Sequence, residues 1–142
     1  MTDRRVRVVP ALLTDSASAL STMARVAGGF ATFVQVDIMD GQFVPSRSIT
    51  ADDLQSAAMP FDWEAHLMVQ CPETYFAPMK RAGAQRVIFH QKASGDSVAS
   101  IRAARELGLD VGLALNPETP VDTVLHLLER LDVLLLLTVT PG

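Results

Sequence analysis

Cysteine is nearly missing from this chain: Cys71 is the only one among 142 residues. A lone thiol cannot close an intrachain disulfide, so the fold has to rest on a packed core, and a reduced, cytoplasmic setting is expected. A basic excess is missing too. Twelve Lys and Arg stand against sixteen Asp and Glu, for a net charge of −4. Arg4, Arg5 and Arg7 form the only local basic cluster, which reads as a solvated N-terminal edge, and no nucleic-acid partner is expected. Long apolar runs are absent: the longest, 133–137, is far too short to cross a bilayer, so no membrane association is expected. The N-terminus lacks the apolar core of a secretory signal. No linker, low-complexity stretch or charge block divides the chain, so residues 1–142 read as one domain.

What is present is apolar and periodic. Hydrophobic residues make up 49% of the chain, and the mean hydropathy is +0.24. Both suit a parallel sheet covered on its faces, whose strands are apolar almost throughout. Strand patterns occur at 5–13, 32–38, 64–69, 86–91, 110–115 and 133–139. Helix signals lie between them. Thr14 or Asp15 caps a helix burying Leu20, Met23, Ala24 and Ala27. Thr50 opens a short helix with Asp53 as its box partner. Pro72 starts a helix ended by Ala82-Gly83-Ala84, and 97–107 is closed by Gly108. Thr119-Pro120 opens the last helix, with Val121, Val124, Leu125, Leu128 and Leu131 on one face.

About six strands and five helices in alternation allow an open doubly wound sheet or a (β/α)8 barrel cut short. Polar residues at successive strand ends (Asp37, His66, His90, Asn116 and Thr138) favour the barrel, which recruits many strand ends. The expected fold is therefore α/β, of TIM-barrel type, incomplete.

Two i, i+2 pairs stand out: Gln35 with Asp37, and Glu64 with His66. Each pair shares one strand face, and sequential parallel strands are often neighbours, so both pairs can point into one cavity. A carboxylate and an imidazole there suit a divalent metal or a general base with its partner. The plainer reading is a hydrogen-bonded core histidine and a loop-capping aspartate. Plainer readings also cover the remaining candidates. Asn116 to Pro120 contains a helix cap, His126 is a surface residue, and Gly28-Gly29 is a helix stop. Met23, Met59, Met68 and Met79 fill the core, and Cys71 is inert.

Several blocks together resemble the ribulose-phosphate 3-epimerase family. They are Val36-Asp37-Ile38-Met39-Asp40-Gly41 with Phe43-Val44-Pro45, Ala65-His66-Leu67-Met68-Val69 with Pro72-Glu73, and Ala82-Gly83-Ala84 with His90. Gly112-Leu113-Ala114-Leu115-Asn116-Pro117 with Thr119-Pro120, and Thr138-Val139 with Pro141-Gly142, follow in the same order. Allulose-6-phosphate epimerases share these motifs. The resemblance implies a (β/α)8 barrel that inverts one carbon beside the carbonyl of a ketopentose phosphate, with a divalent metal (Zn, Fe, Mn or Mg) holding the enediolate oxygens. It implies that Asp37 is both base and metal ligand and that His66 is a second ligand at the substrate. Met39 would line the site, and Gly142 would begin a loop that contacts substrate.

The chain departs from that pattern in four places. Gln35 stands where a histidine ligand is usual, and it offers only a neutral carbonyl oxygen, better suited to Mn or Mg. Ala11 replaces a serine whose hydroxyl would contact substrate. Gln42 replaces a histidine, and Lys92 an acidic residue. The pattern also ends at Gly142 before a full barrel, so a C-terminally truncated member without its second aspartate and phosphate loops is expected. Exposed strand edges would then favour association, and a homo-oligomer is possible. The expected function is a metal-assisted sugar-phosphate epimerase impaired by these losses. The alternatives are a non-catalytic phosphosugar-binding or interaction protein on the same scaffold, or an inactive fragment.

Overall fold

A computed structural model describes residues 5–142 of the chain, so Arg4 lies outside the described residues. They form one sheet of six parallel strands in chain order, curled into an incomplete barrel. The elements are β1 (Ala11–Leu12), α1 (Ala17–Ala27), β2 (Phe33–Met39), α2 (Ala51–Ser56), β3 (Asp62–Met68) and α3 (Glu73–Ala82). They continue with β4 (Arg86–His90), α4 (Ser97–Glu106), β5 (Asp110–Leu115), a 3₁₀ helix at Val121–Arg130 and β6 (Val133–Leu136). The alternation of strand and helix expected from the sequence is the architecture found.

The two faces of the sheet differ because side chains alternate along a strand. On the helix side, Val34, Val36 and Ile38 of β2, Trp63, Ala65 and Leu67 of β3, and Val87 and Phe89 of β4 are buried in the main core. Helix residues meet them there: Leu20 and Ala24 of α1, Leu54 of α2, Phe76 and Met79 of α3, and Ile101 of α4. The concave side carries the other set, including Gln35, Asp37, Glu64, His66, Arg86 and His90. Burying the large apolar side chains contributes about 1.5–3 kcal/mol each, so the helix side holds the fold and the concave side is free for polar groups.

Local chemistry sets the helix ends. Thr50 and Asp53 form a complete capping box at α2. Asp96 caps α4 by accepting from Val98 and Ala99. Gly83 ends α3 at φ 101°, a conformation that costs a residue with a Cβ.

Several expectations shift. The cap of α1 is Ser16, which accepts from Ala19, while Thr14 accepts from the Ser16 N–H one step earlier. Strand β1 shrinks from 5–13 to two residues, and Val6 and Val8 are exposed. This edge strand has one neighbour, and Pro10 has no N–H to give to a ladder, although its carbonyl accepts from Gln35. The last helix is 3₁₀ rather than α, with Val124 and Leu127 buried and Leu125 exposed. With three residues per turn, positions 124 and 127 eclipse, so of the expected face Val124 is buried while Val121, Leu125 and Leu128 are exposed. Strand β6 ends at Leu136, and Leu137 still donates to the Leu115 carbonyl.

Gly112 sits where β4, β5 and β6 come closest. A Cβ there would overlap Val133 Cγ1 and lie 2.8 Å from Ile88 Cγ1. Both are stiff β-branched side chains, so relief requires strand movement. Gly112→Ala is expected to lower stability by about 1–3 kcal/mol, read as a lower urea midpoint at unchanged slope. An unchanged midpoint would show that β6 yields freely.

Candidate functional site

Parallel pairing places Asp37 directly beside His66, and Gln35 beside Glu64. The Asp37 side chain is about 15% exposed and that of His66 about 5%. Burial of this kind requires partners, and both have them. Gln35 Nε2 donates to Asp37 Oδ1 at 2.9 Å, and His66 Nδ1 lies 3.0 Å from the same oxygen. His66 Nε2 lies 2.8 Å from His90 Nε2, and His90 Nδ1 lies 3.1 Å from Asn116 Oδ1. One line of hydrogen bonds thus runs across β2, β3, β4 and the end of β5.

The mouth of the concave face is a cavity of about 500 Å³. Asp37, His66, Gln35 and Met39 line it, with Ala11 on one rim and Thr138 and Gly142 on the other. Ala11, Gln35, Asp37, Met39, His66 and Gly142, singled out in sequence, are therefore brought together, with Thr138 beside them. Gly142 has φ 106° and packs against Val44 and Pro45 of the β2 loop. Met39 joins Val44, Met68 and Phe43 in a small apolar cluster at the cavity wall.

Glu64 does not join this group. It faces the same side as His66 but is held by Arg86, whose Nε donates to Oε2 at 2.6 Å. The Arg86 guanidinium also lies 5.2 Å from the Phe33 ring centroid. Glu64 is thereby neutralised one layer below the cavity. His90 and Asn116 matter more than their positions suggested. His90 is 1% exposed, its ring 5.0 Å from both His66 and Phe43. The signal for both residues was their place at strand ends; the missing information was the stagger that sets His90 behind His66.

Two further side chains shape the rim. Ser48 Oγ donates to the Asp37 carbonyl and accepts from the Met39 N–H, pinning the end of β2. Asp40 accepts from the backbone N–H groups of Gln42, Phe43 and Gln70, tying the β2 loop to the β3 loop. Burial works against its charge, but those donors outweigh it and hold Asp40 below the usual carboxylate range.

The donor set also bears on a metal. Ligands about 2.1 Å from one ion, at the right angles of an octahedral site, stand about 3.0 Å apart. The Asp37–His66 separation of 3.0 Å equals that spacing. The Gln35 amide, turned about its last torsion, would offer its oxygen as a neutral third. Among the described residues no three or more His, Cys, Asp or Glu are placed to hold a metal ion, so the fit is for two ionisable ligands and an amide. Among the described residues, no helix is long and apolar enough to cross a membrane.

Comparison with known proteins gives a consistent result. A model of the ribulose-phosphate 3 epimerase family matches residues 7–142. A ribulose-phosphate 3-epimerase of Bacillus subtilis is 33% identical over 142 residues, covering 96% of this chain and 64% of that protein. One of Mycobacterium tuberculosis H37Rv is 33% identical, covering 95% and 59%. One of Schizosaccharomyces pombe is 34% identical, covering 97% and 63%. The chain spans about three fifths of the length of these relatives.

Buried His90 sets an acid limit on stability. Burial, with the neighbouring His66 adding to it, lowers its pKa to about 4, and the Asn116 contact only partly opposes this. An unfolded histidine titrates near 6.5. The unfolded state therefore binds more protons between about pH 4 and 6.5, and stability falls as the pH drops through that window. The limiting slope for one proton is about 1.4 kcal/mol per pH unit. Urea midpoints should fall between pH 7 and pH 5, and His90→Asn should shrink that difference. An equal pH dependence in the variant would assign it elsewhere.

Proposed function

Because the chain belongs to the ribulose-phosphate 3-epimerase family, we propose that this cavity removes a proton beside the carbonyl of a ribulose phosphate. The observation that carries the reading is the Asp37–His66 pair, held side by side at the cavity by the β2–β3 register and shielded by Met39. Asp37 is the base. Its carboxylate takes the proton from carbon 3, forming an O–H bond as the C–H bond breaks, and the electron pair moves into an enediolate with charge on the carbonyl oxygen. Ser48 holds the backbone of Asp37, and Gln35 orients the carboxylate through its amide.

Asp37, His66 and Gln35 are the residues that would hold a divalent cation. Bound there, it would act as a Lewis acid on the developing enediolate charge. The neutral amide favours a hard ion such as Mn or Mg. Asp37 is the only acidic side chain lining the cavity among the described residues. Inversion needs an acid on the opposite face of the substrate, so these residues are expected to exchange the proton faster than they invert the carbon.

A second reading, phosphosugar binding without turnover, is favoured by Ala11, which puts a methyl group on the cavity rim. Deuterium exchange separates the two. With ribulose 5-phosphate and Mn²⁺ or Mg²⁺ in deuterium oxide, the label should enter carbon 3, with xylulose 5-phosphate forming more slowly. Asp37→Asn should cut exchange by about 100-fold or more. Binding without any exchange, whichever ion is supplied, would sink the enzymatic reading and leave the second. In a separate measurement, Gln35→His should raise the metal retained after dialysis, read by elemental analysis, because imidazole is the better ligand. Equal metal in both forms would show that residue 35 is not a ligand.

A further inference from the structure

We propose that Lys92, Glu118, Asn116 and His90 form a directional relay that fixes the proton of His66 on Nε2 and turns its Nδ1 lone pair toward Asp37. Each step follows from what each atom can donate or accept. Lys92 Nζ donates to Glu118 Oε1, and Glu118 can only accept. Asn116 Nδ2 lies 3.4 Å from the same oxygen, a long contact that aims the amide N–H₂ at Glu118. Asn116 Oδ1 is then the atom facing His90 at 3.1 Å. A carbonyl oxygen only accepts, so His90 carries its proton on Nδ1. Buried and neutral, His90 presents a lone pair at Nε2, and His66 Nε2 donates to it across 2.8 Å.

The consequence falls at the cavity. With its proton on Nε2, neutral His66 presents a lone pair at Nδ1, 3.0 Å from a carboxylate oxygen that is also an acceptor. Two acceptors at that distance repel unless a cation lies between them. A proton on Nδ1 or a divalent ion satisfies both, so the relay makes the Asp37–His66 pair a slot for positive charge. His90, Asn116, Glu118 and Lys92 are positioning residues: they act through His66. Lys92 and Glu118 are about half exposed, so their ion pair adds little stability. What it contributes is direction. The consequence for metal rests on the proposed reading of Asp37 and His66; the proton positions do not.

The test is long-range ¹⁵N–¹H correlation of the histidine rings in the full chain at pH 7.5, first with chelator and then with Zn²⁺ as a diamagnetic probe. His90 should carry its proton on Nδ1 alone, and His66 should keep a proton on Nε2 throughout. Zn²⁺ should shift only His66 Nδ1. Asn116→Leu should give mixed tautomers at His90 and weaken Zn²⁺ binding by about tenfold, as loss of an outer-shell partner does. Asn116→Asp, which keeps an acceptor, should restore both. A proton on His90 Nε2, or unchanged tautomers in Asn116→Leu, overturns the relay. The native spectrum decides the direction even if a variant fails to fold. Native tautomers as expected, with neither Zn²⁺ nor Mg²⁺ shifting the His66 ring, would sink the metal reading while supporting the relay.

Discussion

The structure depends on one register: β2 and β3 pair in parallel with Asp37 beside His66. The alternation of side chains makes this register nearly all-or-none. A slip of one residue would turn Val36 and Ile38 toward the concave side and drive Asp37 into the apolar layer beneath the helices. The buried set Val34, Val36, Ile38, Ala65 and Leu67 therefore selects the register through the hydrophobic effect. The site inherits its register from that packing. What places Asp37 beside His66 is the packing of residues on the opposite face of the same strands.

The concave face solves a different problem. Its polar groups are too numerous to be buried singly, and they meet one another, mostly across strands. Glu64 and Arg86 neutralise each other at the lower level, with Phe33 against the guanidinium. Gln35, Asp37, His66 and His90 are linked at the upper level. A buried polar network is costly when one member lacks a partner. That condition separates the two levels. The lower one is closed by an ion pair, whereas the upper one ends at the cavity, with the surplus of acceptors around Asp37 directed at whatever enters.

The βα repeat was legible in the sequence because β-branched runs, caps and glycine stops recur locally. The Asp37–His66 pairing was legible because both residues lie at the ends of strands adjacent in the chain. Features that depend on distant partners were not. The loss of Glu64 to Arg86 spans 22 residues and requires the β3–β4 register. The shift of the α1 cap to Ser16 depends on which of several competing hydroxyls and carboxylates wins a backbone N–H, a difference of a fraction of a kcal/mol. The last helix shows the same limit. Its apolar residues fit a period of 3.6, but tertiary packing selects 3₁₀ and moves burial from Leu125 to Leu127.

The relay gives the fold and the site a common energetics. If the His66 proton sits on Nε2, as proposed, the register holds together two acceptors that repel when no cation lies between them. That opposition would cost free energy at the cavity, offset by the packing on the helix side. Any cation that relieves it binds the folded state alone, because the unfolded chain does not hold the two residues 3.0 Å apart. Binding there and stability are then linked, and the amide at residue 35 tunes the linkage. By donating to Asp37 Oδ1, Gln35 already quiets part of the negative charge that a cation would otherwise be needed to balance. A histidine at that position, placed as a ligand, would supply another lone pair in place of a donor and deepen the demand for a cation. On the proposed metal reading, the amide at residue 35 would therefore act twice: it is a weaker ligand than imidazole, and it lowers the field that would draw an ion between Asp37 and His66.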